Sequence, residues 1–335
     1  MAKIGLEEIA RQLGVSKTTA SLVSNGRGKE HRISDQIVKK VKDLAEELNY
    51  TPNHFARGLR KGTTNTIGLI IGDISNPFFA KIARFIEDEA ATEDYHVIIA
   101  SSDEKKEKTE KLIQILLDKK VDGLIITPNH LNTDVLLMLK KKEVPFVLID
   151  RYIPKIKSSY VGVDNEAGVD LAITHLYNQG YEKIAFVSYQ PLMSNIRERL
   201  TGYKEALKRN KLKIQSDYIR EVSYENTESD VKSVIDKLLS LTNPPRAILF
   251  ATNKIGLYGM EQLCARNIRI PQDISVISFD DDPAFRLSYP PVTVIEQPLN
   301  EIAAEAAKLL IEQMKTKEIR FGKIIKPTKL IIRKS

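Results

Sequence analysis

From Thr66 onward, short apolar runs alternate with amphipathic segments, and this alternation narrows the possible folds more than any other feature of the chain. The runs are Thr66–Ile71, His96–Ala100, Gly123–Ile126, Phe146–Ile149, Lys183–Val187, Ala247–Phe250 and Ile274–Ser278. Between them, Phe78–Ala91, Glu107–Leu117, Ala167–Leu176 and Leu257–Arg266 carry apolar residues at helical spacing. Strands that read as almost continuous apolar stretches are buried on both faces, as in parallel sheets covered by helices. Seven such strands crowd a single small sheet, so two similar lobes are expected. Ligands of open α/β sheets sit beyond the carboxyl ends of the strands. The polar residues falling there are Asp73, Asn76, Ser101-Ser102-Asp103, Asp150-Arg151, Asn253 and Asp280-Asp281-Asp282.

The first fifth of the chain has a different grammar. Leu6, Ile9, Ala10 and Leu13 recur at the i, i+3, i+4, i+7 spacing of one helix face. Gly14 supplies a sharp stop, and Ser16 is placed to cap a second short helix with small side chains. Two short helices joined by a Gly-containing turn predict a helix-turn-helix, whose second helix enters a DNA major groove. A third amphipathic helix follows from about Asp35 to Leu48, with Ser34 as N-cap and Tyr50-Thr51-Pro52 as its stop. Three helices in so short a span make only a marginal core, so DNA or a partner chain is expected to supply part of their order. Residues Asn53 to Arg60 read either as a short helix that folds only when docked or as a plain linker.

Charge agrees with this division. Residues 1–61 hold 12 Lys and Arg against 7 Asp and Glu, a net of +5, while the remaining residues hold 39 against 37. A basic end fits a phosphate-contacting surface, although lysine-rich soluble proteins also carry such ends by chance. The single cysteine, Cys264, excludes an internal disulfide, and no Cys/His cluster has metal spacing. There is no leader-like apolar stretch and no membrane-spanning run, so a cytoplasmic protein is expected. None of the common nucleotide-loop, dinucleotide, serine-hydrolase or zinc-protease motifs is present. No catalytic residue, cofactor or metal is expected.

Several motifs stand in order along the chain. They are Ile9-Ala10 with Gly14-Val15-Ser16 and Thr19, Asn49-Tyr50-Thr51-Pro52-Asn53 with Ala56-Arg57 and Leu59, and Asp73-Ile74-Ser75-Asn76-Pro77-Phe78-Phe79. Asp122-Gly123-Leu124-Ile125, Val163-Asp164-Asn165, Arg199-Leu200-Thr201-Gly202-Tyr203, Ile270-Pro271-Gln272-Asp273, Phe279-Asp280-Asp281 and Pro291-Val292-Thr293 follow. In these motifs the chain resembles the lactose-repressor (LacI/GalR) family of bacterial transcription regulators along essentially its whole length. Thr18-Thr19-Ala20-Ser21 and the long Gly26–Ile33 loop are most similar to the fructose-responsive branch. The resemblance implies an α/β protein with an N-terminal three-helix helix-turn-helix headpiece and a two-lobed regulatory domain like the periplasmic binding proteins. Its segments would be 1–50 for the headpiece, 51–62 for the hinge and 63–335 for the effector-binding and dimerisation domain. The first lobe would take about 63–163 and 293–322, and the second about 164–292 and 323–335.

The resemblance further implies a homodimer on a pseudo-palindromic double-stranded operator, governed by a small molecule. On DNA, Lys17 and Thr18 are expected near base edges, Ser16, Ser21 and Asn25 mainly at phosphates, and Thr19 among the DNA-binding residues on or near the recognition helix, with some of the hydroxyls serving only as caps. Arg27, Lys29 and Arg32 are expected at phosphates. Leu22 stands where many members carry arginine, so it either reads a thymine methyl or faces protein. The hinge residues Asn53, Ala56 and Arg57 accompany Leu59, expected to wedge a minor-groove base step. In the regulatory domain Phe78 is expected beside a sugar ring or in the core, with Asp150, Asn195, Arg199, Asn253 and Asp280 on its hydroxyls. Arg151 and Arg197 are further candidates; with Arg199 they would clamp a sugar acid or sugar phosphate, leaving three ligand classes open with the neutral sugar. Lys254, where most members carry aspartate, either adds charge at the ligand or points outward. The function expected is a DNA-binding regulator, most simply a repressor, of carbohydrate genes. The alternatives are a ligand-independent regulator and a sugar-binding protein without a regulatory role.

Overall fold

The computed structural model describes residues 5–24, 26–48, 50, 63–316 and 321–335. The chain divides into two compact units, Met1–Thr64 and Asn65–Ser335.

In the first unit, α1 (Leu6–Leu13), α2 (Lys17–Ser24) and α3 (Asp35–Glu47) pack pairwise around Ile9, Ala10, Ala20, Val23 and Val41. Gly14, at φ 63°, takes the left-handed conformation that ends α1, and Val15 N–H closes onto Ala10 O at 3.0 Å. Ser16 Oγ accepts from Thr19 N–H at 3.0 Å, which caps α2. Ser34 stands at the N-cap of α3, as expected, although its side chain makes no capping hydrogen bond. The loop from Gly26 to Ile33 is pinned by Gly28, where an added Cβ would lie 2.8 Å from Val38.

The second unit contains two six-stranded sheets. The first sheet runs β11-β5-β4-β3-β1-β2 and is parallel throughout. Its strands are β1 (Thr66–Ile71), β2 (His96–Ser101), β3 (Gly123–Ile126), β4 (Phe146–Ile149), β5 (Ser159–Val163) and β11 (Lys323–Lys326). The helices α4 (Pro77–Thr92), α5 (Lys106–Asp118) and α6 (Thr133–Lys141) connect its first four strands. The second sheet runs β12-β10-β9-β8-β6-β7, parallel except where β12 meets β10. It comprises β6 (Ile184–Tyr189), β7 (Ile219–Val222), β8 (Ala247–Phe250), β9 (Ser275–Phe279), β10 (Thr293–Glu296) and β12 (Lys329–Ile331). Around it stand α7 (Asn165–Asn178), α8 (Ser194–Arg209), α9 (Thr227–Leu239), α10 (Asn253–Ala265) and the short α11 (Pro283–Leu287). The last helix, α12 (Leu299–Thr316), returns to pack on α4 and on β3, β4 and β5.

The lobe boundaries read from the sequence need correction at the C-terminal end. β10, at 293–296, lies in the second sheet, with Val294 opposite Ser278, and not in the first lobe. β11, at 323–326, lies in the first sheet, with Ile324 opposite Val161, and not in the second lobe. A strand of four residues carries no mark of which distant strand it will pair with, so sequence pattern cannot place it. The chain thus passes between the lobes three times, after β5, β10 and β11.

Candidate functional site

On the headpiece, α2 presents Lys17 and Thr18 as exposed residues, with Thr19 half-buried. Ser16 and Thr19 hydroxyls lie 2.9 Å apart, so Ser16 caps the helix and its Oγ is committed to Thr19. Ser21 is half-buried on the same helix. Lys17 pairs with Glu7, and Arg27 Nε lies 2.7 Å from Glu30. Lys17 and Arg27 hold these two carboxyls below their ordinary range. Such exposed pairs are weak, and a phosphate oxygen can take the place of the acid. Lys29 and Arg32 are exposed on the following loop. Leu22 is half-buried, and among the described residues the apolar side chains packed on the headpiece core do not include it. Asn25, Asn53, Ala56, Arg57 and Leu59 lie outside the described residues.

Between the two sheets of the second unit is a cleft of about 200 Å³. Its lining comes from the carboxyl ends of parallel strands. From the first lobe come Asn76 and Phe78 after β1, Glu104 after β2, His130 after β3, and Asp150 and Arg151 after β4. From the second come Tyr189 at the end of β6, Tyr224 after β7, Asn253 after β8 and Asp280 after β9, with Asn195 and Arg199 on α8. Asp150, Asp280 and Glu104 have φ of 64°, 71° and 57°. Left-handed backbone at three non-glycine acids is uncommon and marks positions where the surroundings over-determine the chain.

Each polar group is held. Asn76 caps α4 by accepting from Phe78 N–H at 3.0 Å, and Pro77 follows at the first helical position, where no N–H is needed. The same Oδ1 accepts from Asn253 Nδ2 at 2.8 Å, a bond across the cleft. A second crossing runs from Asn195 Nδ2 to both oxygens of Asp150, each at 3.2 Å. Arg199 is buried; it donates to Asn165 Oδ1 at 2.9 Å and Ala251 O at 2.7 Å, and its guanidinium lies 3.6 Å from the Phe279 ring centre. Asp280 accepts from Gln297 Nε2 at 2.6 Å and faces Arg199 at 3.9 Å. Burial pushes the Asp280 carboxyl up to about 6, against the pull of Arg199 and Gln297 and with the help of Asp150. Phe78 both lines the cleft and belongs to the first lobe's core, its ring edge-on to Phe79 at 5.0 Å.

The expected three-guanidinium clamp is not assembled. Arg197 is exposed, outside the cleft lining, and donates to Leu192 O at 3.4 Å. Residues two apart on a helix point in different directions, whereas Asn195 and Arg199, four apart, share the face turned to the cleft. Arg151 does line the cleft, but it is buried against Glu104 and lies 3.5 Å from Asp150. Lys254 lines the cleft with its ammonium 5.0 Å from the Tyr224 ring centre. The remaining acids of the strand-end set do other work. Asp281 ties Arg286 and Arg333, and Asp282 caps α11 by accepting from Ala284 N–H at 3.0 Å.

The cleft also holds residues that sequence reading missed. Tyr189 and Tyr224 lie 5.5 Å apart between ring centres. Burial raises both hydroxyls, Tyr189 to about 12. Glu104 was hidden in the charged run Asp103-Glu104-Lys105-Lys106, which reads as a solvated helix start. Two successive left-handed residues, Asp103 and Glu104, place it in the cleft lining while Asp103 pairs outward with Lys108 at 2.6 Å. No periodic signal announces such a turn.

Comparison with known proteins gives this geometry a family. The description "Bacterial regulatory proteins, lacI family" matches residues 5–53, and "Periplasmic binding protein-like domain" matches residues 173–335. Catabolite control protein A of Priestia megaterium is 32% identical over 335 residues, 99% of each chain. The chain belongs to the lacI family of bacterial regulatory proteins. A ribose operon repressor of Halalkalibacterium halodurans is likewise 32% identical, over 98% of this chain and 96% of that one. Among solved structures, the complex of the transcriptional regulator CelR with cellobiose matches with TM-score 0.73 at 26% identity over 99% of both chains. The lac repressor dimer bound to operator matches with TM-score 0.83 at 24% identity over 99% of this chain and 98% of that one, which is a likeness of fold. As a lacI-family member the chain is a DNA-binding transcription regulator with a ligand-binding domain. Among the described residues, no helix is long and apolar enough to cross a membrane.

Proposed function

We propose that this regulator is a cytoplasmic homodimeric repressor of carbohydrate genes, released from a pseudo-palindromic operator by a sugar bound in the cleft. It acts by binding and not by turnover, a reading supported by relatives that are named repressors. The observation that carries the effector reading is the convergence of Asp150, Asn195, Arg199, Asn253 and Asp280 beside the Phe78 ring. Carboxylates, amides and a guanidinium suit the hydroxyls of a sugar, and an aromatic suits its apolar face. The bonds Asn76–Asn253 and Asn195–Asp150 join the lobes through residues a ligand would contact. A ligand that exchanges these bonds for its own biases the lobe angle, and with it the spacing of the two hinge segments. Its leverage equals its difference in affinity for the two arrangements.

On DNA, Lys17 and Thr18 approach base edges, with Lys29, Arg32 and the displaced Arg27 on phosphates. Leu22 contacts a thymine methyl, a reading supported by its place outside the headpiece core. The length and charge of the Gly26–Ile33 loop support a headpiece of the fructose-responsive type. Leu59 wedges a central minor-groove step, supported by an apolar residue in an otherwise polar hinge sequence.

Selection of operator sequences from a random duplex pool, repeated across salt concentrations, tests this reading. Selected sites should be two-fold symmetric, and affinity should fall steeply as salt rises because phosphate contacts release counterions. Leu59→Ala should weaken operator binding by at least tenfold, and Leu22→Arg should change the preferred base at one symmetric pair of positions. A pool with no enriched sequence, in the presence or absence of sugars, would overturn the proposal.

A further inference from the structure

We infer that Glu104 acts as a charge filter on the effector, cancelling Arg151 so that the cleft takes uncharged, hydroxyl-rich sugars and refuses sugar acids and sugar phosphates. This rests on the sugar-effector reading above and narrows it to one of the three ligand classes that the arginines left open.

The two side chains form a buried pair: Glu104 Oε1 accepts from Arg151 Nη2, and each side chain is 6% exposed. Arg151 would otherwise be the natural anchor for an anion, with a planar fork suited to carboxylate or phosphate. Its remaining face is taken by Asp150, 3.5 Å from Nε, and its Nη1 turns to Met193. The other cleft cations are also engaged. Arg199 is spent on Asn165, Ala251 and Asp280, and Lys254 lies over the Tyr224 ring. An anionic ligand would therefore enter a space where Glu104, Asp150 and Asp280 already answer the positive charges. Desolvating an unpaired anion is among the most costly steps in binding.

The pair also leaves a specific vacancy for hydrogen bonds. Among the described residues, Glu104 Oε2 is buried without a hydrogen-bond partner, and so is Arg151 Nε. One atom accepts and the other donates. A hydroxyl has both a donor and acceptor lone pairs, so it can satisfy either atom or both. A carboxylate or phosphate oxygen offers Glu104 only repulsion, and an ammonium offers Arg151 Nε no acceptor. The backbone at Glu104, left-handed at φ 57° directly after Asp103 at φ 51°, holds this carboxylate where regular backbone would not carry it.

The test is binding and thermal unfolding of the full chain and of Glu104→Gln, which preserves shape and removes one charge. The probes are D-ribose, D-glucose and cellobiose as neutral sugars, D-gluconate and D-glucose 6-phosphate as anionic ones, and inorganic phosphate. Wild type should be stabilised by a neutral sugar and by none of the anions. Glu104→Gln should gain at least tenfold in affinity for one or more anions, inorganic phosphate included. The double variant Glu104→Gln, Arg151→Gln should lose that gain, which separates a freed guanidinium from a merely loosened fold. Wild-type binding of gluconate, glucose 6-phosphate or phosphate in the cleft would overturn the inference, as would a folded Glu104→Gln protein that gains no anion affinity. If no neutral sugar binds wild type, the sugar-effector reading fails; the phosphate arm still decides the charge filter by itself.

Discussion

At the scale of single residues, the cleft trades stability for chemistry. Asp280 is buried, and its carboxyl is raised to about 6, chiefly by desolvation. An unfolded aspartate titrates near pH 3.9, so the folded protein holds this proton more tightly than the unfolded chain does. Its favourable contribution is complete below the unfolded value and is lost as pH rises through about 6. By linkage, the two pH limits should differ by roughly 1–3 kcal/mol. Asp280→Asn removes the titration, so its melting temperature relative to wild type should shift upward between pH 4 and pH 7. The attraction of Arg199 exists only when Asp280 is ionised and is already contained in its raised titration, so the change of the difference with pH is the diagnostic quantity. A difference that stays flat across that range would remove Asp280 as a titrating group. The same variant should lose sugar-induced stabilisation, which is the usual conflict between a binding group and the fold that buries it.

At the scale of elements, glycine decides how closely two helices approach. A Cβ on Gly202 in α8 would lie 2.8 Å from the Glu166 backbone in α7, and backbone cannot swing aside as a flexible side chain can. Gly202→Ala should therefore destabilise the regulatory domain by about 1–3 kcal/mol, read as a lower urea midpoint, because the whole helix pair must separate. A midpoint unchanged from wild type would show that the crossing is loose. Ser278 on β9 shows the reverse accommodation: its hydroxyl occupies the space facing Gly256, where a Cβ would come within 2.6 Å. The elements themselves were largely legible. The seven apolar runs became strands and the four periodic segments became helices; six of the runs are buried on both faces, which leaves a continuous apolar signature, while β2 carries the same signature as a largely exposed edge strand. β7, with its half-buried Ile219 and exposed Glu221, lacks that signature, and β10, β11 and β12 each break it with a charged residue: Glu296, Lys323 with Lys326, and Lys329. Glu104 and Tyr224 were missed for a related reason: they reach the cleft through turns, and a turn's direction is not periodic.

At the scale of the whole molecule, some apolar surface remains uncovered by the chain itself. β2 is an edge strand on which Ile98 and Ile99 are 37% and 39% exposed, and Phe85 on the adjoining α4 is 37% exposed. In the second lobe, Leu287 is 86% and Tyr289 100% exposed. An apolar sheet edge left bare is an aggregation hazard, and a second copy of the chain is the economical cover. Ile99→Glu and Tyr289→Asp should each shift sedimentation toward the monomer and weaken operator binding, since one headpiece reads only half of a two-fold site. Dimers that persist unchanged in both variants would place the interface elsewhere.

Composition, periodicity and motif order determined that this chain is a basic three-helix unit followed by a two-lobed α/β domain, and the family resemblance named seven of the residues that line the cleft. They could do so because helix faces and doubly buried strands repeat at fixed short intervals. Only the tertiary structure decided which lobe owns the last strands, which of Arg151, Arg197 and Arg199 face the cleft, and that Glu104 stands against Arg151. Those outcomes depend on strand pairing across more than a hundred residues and on left-handed turns, where neighbouring residues carry no record of what they will meet.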